Sequence, residues 1–274
     1  LLSTLGPIWP IHVINLDRAG DRMAAISDHL DALGLRFSRM AAVDGHAVPA
    51  EIRHKLTQGA PRYKRPLTPA EIGCTLSHLL VWDRIARGPA PVAIVLEDDA
   101  RLRPGAGAQL AALAAMPVDW DMLKLCHSNR TAAGAAGVSA ILPRRMPPCT
   151  IGYAITRAAA AQLVMRWVPF SRPVDNQLTY WWEHGACVKI AVPALGGAAA
   201  DHADTSAIAA GRVQKGGHLR RLLANLGVQA GRRIAGIRPR GRSWPDSGPV
   251  TPALPAVLAL SGAEWIRTAG PQGC

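Results

Sequence analysis

The stretch Pro91-Val92-Ala93-Ile94-Val95-Leu96-Glu97-Asp98-Asp99 decides the fold class. An uncharged run ends abruptly in three carboxylates. A continuously apolar run of this length is expected of a strand covered on both faces. Crowded carboxylates repel one another, and their ionised forms need compensation. Mg²⁺ or Mn²⁺ supplies it, because both prefer hard oxygen ligands: carboxylates, phosphate oxygens and water. In open α/β sheets, ligands bind beyond the carboxyl ends of the strands. The triplet therefore stands where a metal–nucleotide site belongs, although alone it reads equally well as a solvated acidic turn.

Working outward, the segment before this strand opens with a helix-start signal. Thr68 is placed as N-cap, Pro69 at the first helical position and Glu71 as the reciprocal cap, with Ile72, Leu76, Leu79 and Leu80 as the apolar face. Gly88-Pro89 stops the helix. Further upstream, residues 11–16 read as a buried strand. Met23, Ile26, Leu30 and Leu33 repeat with helical period over residues 21–33, Gly34 ends that helix, and residues 35–40 alternate like a strand. The chain thus begins β-α-β, followed by a loop over residues 48–66. Downstream, strands are expected over residues 120–125, 149–156 and 187–192, helices over 157–167 and 173–184, and a small-residue loop over 128–140. This alternation predicts an α/β fold with a mostly parallel sheet. Beyond about residue 211 the pattern loosens to one short basic amphipathic segment over residues 220–226. Pro and Gly dominate from residue 238, where poor order is expected. The expected organisation is a catalytic domain over residues 1–210 and a basic tail over 211–274.

The net charge is +12, which calls for an anionic partner: nucleic acid, phosphorylated substrate or acidic lipid. An Arg- and Ala-rich composition accounts for part of it. The clustering does not follow from composition, because nine Lys or Arg residues fall between Asp204 and Asp246 with no acid among them. The cysteines Cys74, Cys126, Cys149, Cys187 and Cys274 are odd in number and form no CxxC pair. That speaks against a disulfide framework or a zinc site of that pattern and for reduced thiols in a cytoplasm. The first ten residues lack a basic leader, and the apolar run at residues 253–260 is too short to span a bilayer, which needs about 20 residues. The expectation is a soluble or peripheral protein.

Three chemistries compete for the triplet. A phosphorylatable receiver needs a further Asp some forty residues on, and no Asp or Glu lies between Asp121 and Asp175. A metal-dependent nuclease suits the basic charge, but Asp121-Met122-Leu123-Lys124 has one residue too many for the usual [D/E]-x-K element. A sugar-nucleotide transferase is the third, and other segments bear on it.

Six segments, taken in order, resemble glycosyltransferase family 25, the lipooligosaccharide galactosyltransferases with animal collagen-modifying relatives. They are Val13-Ile14-Asn15-Leu16-Asp17-Arg18 with Asp21-Arg22; Ala42-Val43-Asp44-Gly45; the helix from Leu67 through Glu71, Gly73, Ser77 and His78 to Trp82; Val95 to Asp99; Gly152-Tyr153-Ala154-Ile155-Thr156-Arg157; and Pro173-Val174-Asp175. The resemblance runs from about residue 11 to 208. It implies a GT-A-like (Rossmann-related) α/β sandwich that holds a UDP-sugar donor over its first half and a saccharide or lipid-linked saccharide acceptor over its second. Carried across, Asn15, Asp17, Arg18 and Asp44 lie near the nucleotide, Ser77 and His78 line the donor pocket, and Glu97 orients a ligand or the sugar. Asp98 and Asp99 face Mn²⁺ or Mg²⁺. His78 reads equally as a packed helix histidine beside Cys74 and Trp82. Where the family often has a Gln, this chain reads Asp201-His202-Ala203-Asp204, and His202 is the expected late metal ligand, with Asp201 or Asp204 as the alternatives.

Transfer to a sugar hydroxyl passes through an oxocarbenium-like state and needs a general base, together with charge neutralisation on the leaving diphosphate. The family inverts. Asp175 is the expected base, with Glu183 in reserve, and Asp175 reads equally as a helix N-terminal carboxylate favoured by the dipole. The sum is a metal-dependent inverting hexosyltransferase of lipopolysaccharide assembly, with galactose as default donor sugar. It is expected in a bacterial cytoplasm, its basic tail on the anionic inner leaflet. The alternatives are a nuclease or a non-catalytic sugar-nucleotide binder, with nucleic acid the less favoured partner.

Overall fold

A computed structural model describes residues 8–58, 65–127, 137–143 and 146–199, together with Trp244, Asp246 and Gly248. The elements run β1 (Ile11–Asn15), α1 (Gly20–Ala32), β2 (Ser38–Ala41), α2 (Ala50–Thr57), α3 (Pro69–Arg87), β3 (Val92–Glu97), β4 (Ala100–Leu102), α4 (Ala106–Ala114) and β5 (Met122–Lys124). They continue β6 (Ser139–Ile141), β7 (Gly152–Thr156), α5 (Arg157–Arg166), α6 (Val174–Gln177), α7 (Trp181–His184), β8 (Val188–Val192) and β9 (Gly196–Ala198). The main sheet has seven strands in the order β2-β1-β3-β7-β5-β8-β6, and β4 pairs with β9 in a separate ribbon.

The fold is α/β, as the alternation of elements predicts, but its sheet is mixed. The β1–β2, β1–β3 and β5–β8 pairings are parallel, while β7 is antiparallel to both neighbours and β6 to β8. Strand β7 inserts between β3 and β5, so its amino end meets the carboxyl ends of β1, β3 and β5 at one edge. Strand β3 is covered on both faces. Ala93 and Val95 pack into the core under α3 and α5, while Val92, Ile94 and Leu96 pack into the core on the opposite face. The period of two places alternate residues on opposite faces. The loop expected over residues 48–66 contains α2, and the helix expected over 173–184 is two short helices, α6 and α7.

Helix α3 starts as its sequence dictates. Glu71 N donates to Thr68 Oγ1 at 3.2 Å, Thr68 N donates to Glu71 Oε2 at 3.0 Å, and Arg65 closes on both Glu71 oxygens at 2.7 and 2.8 Å. Burial alone would raise the Glu71 carboxyl, but Arg65 and Thr68 hold it below its ordinary value. One turn on, the backbone of Gly73 lies against the loop after β2. A Cβ on Gly73 would sit 2.5 Å from Gly45 N and 2.6 Å from Val43 O, and one on Gly45 would overlap the Pro69 carbonyl. Val43 N also donates to Ser77 Oγ at 2.8 Å. These contacts join the loop carrying Asp44 to α3.

The chain returns to the back of this core near its end. Trp244 N donates to Asp121 Oδ1 at 2.7 Å, and Asp246 grips Arg157 through two bonds of 2.6 and 3.0 Å. Arg157 is buried and also donates to the carbonyls of Gly88 and Pro89. A chain cut after residue 211 would strip both groups of these partners.

Two substitutions test these joints. Gly73→Ala should destabilise the protein by about 2 kcal/mol or more, because the added methyl meets backbone rather than a side chain that can move. A urea midpoint equal to wild type would mean that the loop and helix are not in contact. Asp246→Ala should cost about 1–3 kcal/mol, the scale for leaving a buried charged donor short of a partner. An unchanged midpoint would show that the returning segment does not brace the core.

Candidate functional site

Strand order reverses around β1. The chain goes from β1 to β2 on one side, then crosses to β3 on the other, so the carboxyl ends of β1 and β3 flank a switch point where α/β sheets open a crevice. Asn15 ends β1, and Glu97 ends β3. Asn15 Nδ2 donates to Asp98 Oδ2 at 2.7 Å, closing the gap between the strands. Arg22, on the first turns of α1, reaches the same oxygen at 3.2 Å. Asp98 is buried and thus already answered by an amide and a guanidinium.

Glu97 is met from the other side. Thr150, just before β7, donates to Glu97 Oε1 at 2.5 Å, and His78 Nε2 lies 3.4 Å from that oxygen. Burial alone would push the Glu97 carboxyl up, but His78, Thr150 and Arg22 hold it below its ordinary value. His78 is fixed at its other nitrogen, where Nδ1 meets the Tyr153 hydroxyl at 2.8 Å, and Trp82 Nε1 donates to that hydroxyl at 2.7 Å.

Asp99 is the carboxylate left over. Its Oδ1 is buried and has no hydrogen-bond partner. Burial, then the charges of Glu97 and Asp98, push its pKa up to about 6. An unpartnered carboxylate oxygen beside two ionised neighbours suits a hard divalent cation, so Asp99 fits the metal that the triplet calls for. Asp98 fits less simply, since Arg22 already neutralises it.

The crevice encloses about 850 Å³ of empty space counting its open mouth. Its lining brings together Asn15, Arg18, Asp44, Ser77, His78 and all three acids of the triplet. Arg18 pairs with Asp44 across the rim. Ser77 is committed to the fold as well, donating to Gly73 O at 2.7 Å. Asp17 stands apart, exposed in a neighbouring groove, where it pairs with Arg39 at 2.5 Å.

Asp175 is outside this lining, in the first turn of α6, yet close enough for its charge to help raise the Cys74 thiol after burial and Glu97. Glu183 belongs to another cluster. Arg172 Nη1 at 2.5 Å and Gln177 Nε2 at 3.2 Å both donate to its Oε2, while Arg172 stacks on Tyr180. His202 lies outside the described residues, as does the tail apart from Trp244, Asp246 and Gly248. The nuclease-like pair is structural. Asp121 is fully buried and accepts from the Cys187 and Trp244 backbone, and Lys124 is buried on the carbonyls of Pro147 and Cys149. Sequence reasoning gave no role to Arg22, Thr150 or Cys74. For Cys74 a signal existed, because Cys74 and His78 stand four apart on one helix face. For Thr150 none did.

Residues 8–178 match Glycosyltransferase family 25 (LPS biosynthesis protein). A Glycosyltransferase 25 family member of Anopheles gambiae is 31% identical over 188 residues, covering 64% of this chain and 32% of that protein. Procollagen galactosyltransferase 1 of Danio rerio is 28% identical over 184 residues, covering 61% of this chain and 30% of its own. Inactive glycosyltransferase 25 family member 3 of Mus musculus is 27% identical over 200 residues, covering 63% and 34%. The chain spans about a third of the length of these curated relatives. The match covers more than half of the chain and takes in every residue that lines the crevice, and the chain belongs to glycosyltransferase family 25.

Proposed function

We propose that this chain is a metal-dependent inverting hexosyltransferase that moves a sugar, galactose by default, from a UDP-sugar to a saccharide acceptor in lipopolysaccharide or lipooligosaccharide assembly. The observation that carries the reading is Asp99, whose buried Oδ1 has no hydrogen-bond partner, in a crevice at the β1–β3 switch point. The galactose default draws on relatives named as procollagen galactosyltransferases. A bound Mg²⁺ or Mn²⁺ would supply charge neutralisation for the leaving diphosphate. Arg18 and Arg22 also line the crevice, each already paired with a carboxylate, Asp44 and Asp98, and supply guanidinium donors beside the same anion.

Asp175 is the base in this reading, taking the proton of the acceptor hydroxyl. It is preferred over Glu183, whose Oε2 is held by Arg172 and Gln177. The basic segment between Asp204 and Asp246 is proposed to hold the enzyme to the inner leaflet of a bacterial membrane, where each Lys or Arg near an anionic surface contributes about 1 kcal/mol. Among the described residues no helix is long and apolar enough to cross a membrane.

The deciding experiment incubates the protein with Mn²⁺, a panel of UDP-sugars and saccharide acceptors, and follows UDP release. Release that needs the cation and disappears in Asp99→Asn supports the reading; release undiminished in excess EDTA refutes the metal dependence, and no release with any donor refutes the activity. The same variant has a second signature. The folded-state pKa of Asp99 is raised, so its ionised form opposes folding above about pH 6, and this penalty fades as pH falls toward the ordinary value of 3.8. Asp99→Asn should therefore melt higher than metal-free wild type at pH 8, with the difference vanishing near pH 4. A gap that grows on acidification would contradict the assigned shift.

Asp175→Asn should slow transfer by about 10²-fold or more, the scale of general-base loss, with UDP affinity nearly unchanged. A large loss of UDP binding would move Asp175 into the donor site.

A further inference from the structure

We propose that Cys74, His78 and Glu97 form a second cation site, for a softer divalent ion such as Zn²⁺, in the floor of the crevice. Their Sγ, imidazole nitrogen and carboxylate oxygen all lie within 4.8 Å of one another. The site is built from two elements. Cys74 and His78 face one way from successive turns of α3, and Glu97 approaches from the end of β3.

The independent sign of a ligand is His78. The residue is 1% exposed, yet its Nε2 makes no hydrogen bond. Its close polar neighbour is Glu97 Oε1 at 3.4 Å, itself in the proposed donor set, and a buried ring nitrogen without a hydrogen bond forfeits its solvation, which native proteins rarely allow. The Tyr153 hydroxyl, braced by Trp82, occupies Nδ1 and so aims Nε2 at Cys74 and Glu97. Metal-binding imidazoles are oriented in this way, by a partner on the nitrogen that does not bind.

The donor set selects the metal. Thiolate and imidazole favour Zn²⁺, whereas Mg²⁺ and Mn²⁺ favour an all-oxygen set such as Asp99 with diphosphate. Three protein ligands leave a fourth position toward the crevice, which Cys74, His78 and Glu97 all line. Without a cation the Cys74 thiol is kept protonated, because burial and the nearby charges of Glu97, Asp175 and Asp99 push it up. Binding therefore releases that proton and leaves the thiolate on the ion. The site stands independently of the transferase reading, since no sugar or nucleotide takes part.

The test uses the full-length, reduced, metal-free protein with Co²⁺ as the spectroscopic substitute for Zn²⁺. Titration should raise a thiolate-to-cobalt charge-transfer band in the near ultraviolet, and Zn²⁺ should erase it. Cys74→Ser should remove the band and weaken Co²⁺ binding by at least about tenfold, while Cys149→Ser and Asp99→Asn keep it. A band that survives Cys74→Ser, or that vanishes in Asp99→Asn, overturns the proposal. Should the Cys74 variant fail to fold, the wild type decides: Zn²⁺ should slow iodoacetamide alkylation of Cys74 at least about tenfold by mass spectrometry, and an unchanged rate overturns it.

Discussion

Glu97, Asp98 and Asp99 leave strand β3 one after another, and the neighbouring structure answers each differently. Asp98 is met by Asn15 and Arg22, so it serves as a rivet between β1, α1 and β3. Glu97 is met by Thr150 and His78, which ties β3 to the approach of β7 and to α3. Asp99 receives neither an amide nor a guanidinium on its buried oxygen. Electrostatic crowding of this kind is costly unless something opposes it. Two of the three charges are used to assemble the edge of the sheet, and the third presents to the crevice a carboxylate oxygen without a hydrogen bond.

Helix α3 is the element that lets this edge exist. Its capping box and Arg65 fix where it begins, and the close approach of Gly73 to Gly45 fixes how near it lies to the loop after β2. From that position successive turns present Gly73, Ser77 and then His78 with Trp82. Ser77 receives the Val43 amide, and His78 reaches Glu97. A side chain at either glycine would push the loop and the helix apart, and with them Asp44 from the triplet. The back of the same core is held by Arg157 on Asp246 and by Asp121 under Trp244, so residues near the end of the sequence brace the domain that starts it.

The strands and helices near the triplet were legible because their signals are local. A buried strand shows as an unbroken apolar run, and a helix start as Thr68, Pro69 and Glu71 in register. The site's membership was legible only in part. Asn15, Arg18, Asp44, Ser77, His78 and the triplet do converge on one crevice. Asp17 turns outward to Arg39, and Glu183 is engaged by Arg172. Neither outcome has a local cause, since each depends on which arginine another element delivers.

What the sequence by itself determined is the α/β class, the helix beginning at Pro69 and the placing of three carboxylates at a strand's end, because each follows from the spacing of apolar residues or from a cap only three residues long. The tertiary structure alone decided that β7 runs against its neighbours and brings Thr150 to Glu97, and that Arg22 neutralises Asp98. It also decided that Asp121 and Lys124 are buried structural groups. Those outcomes depend on pairings between residues tens of positions apart. A local pattern carries no information about which distant group will arrive to share a buried charge.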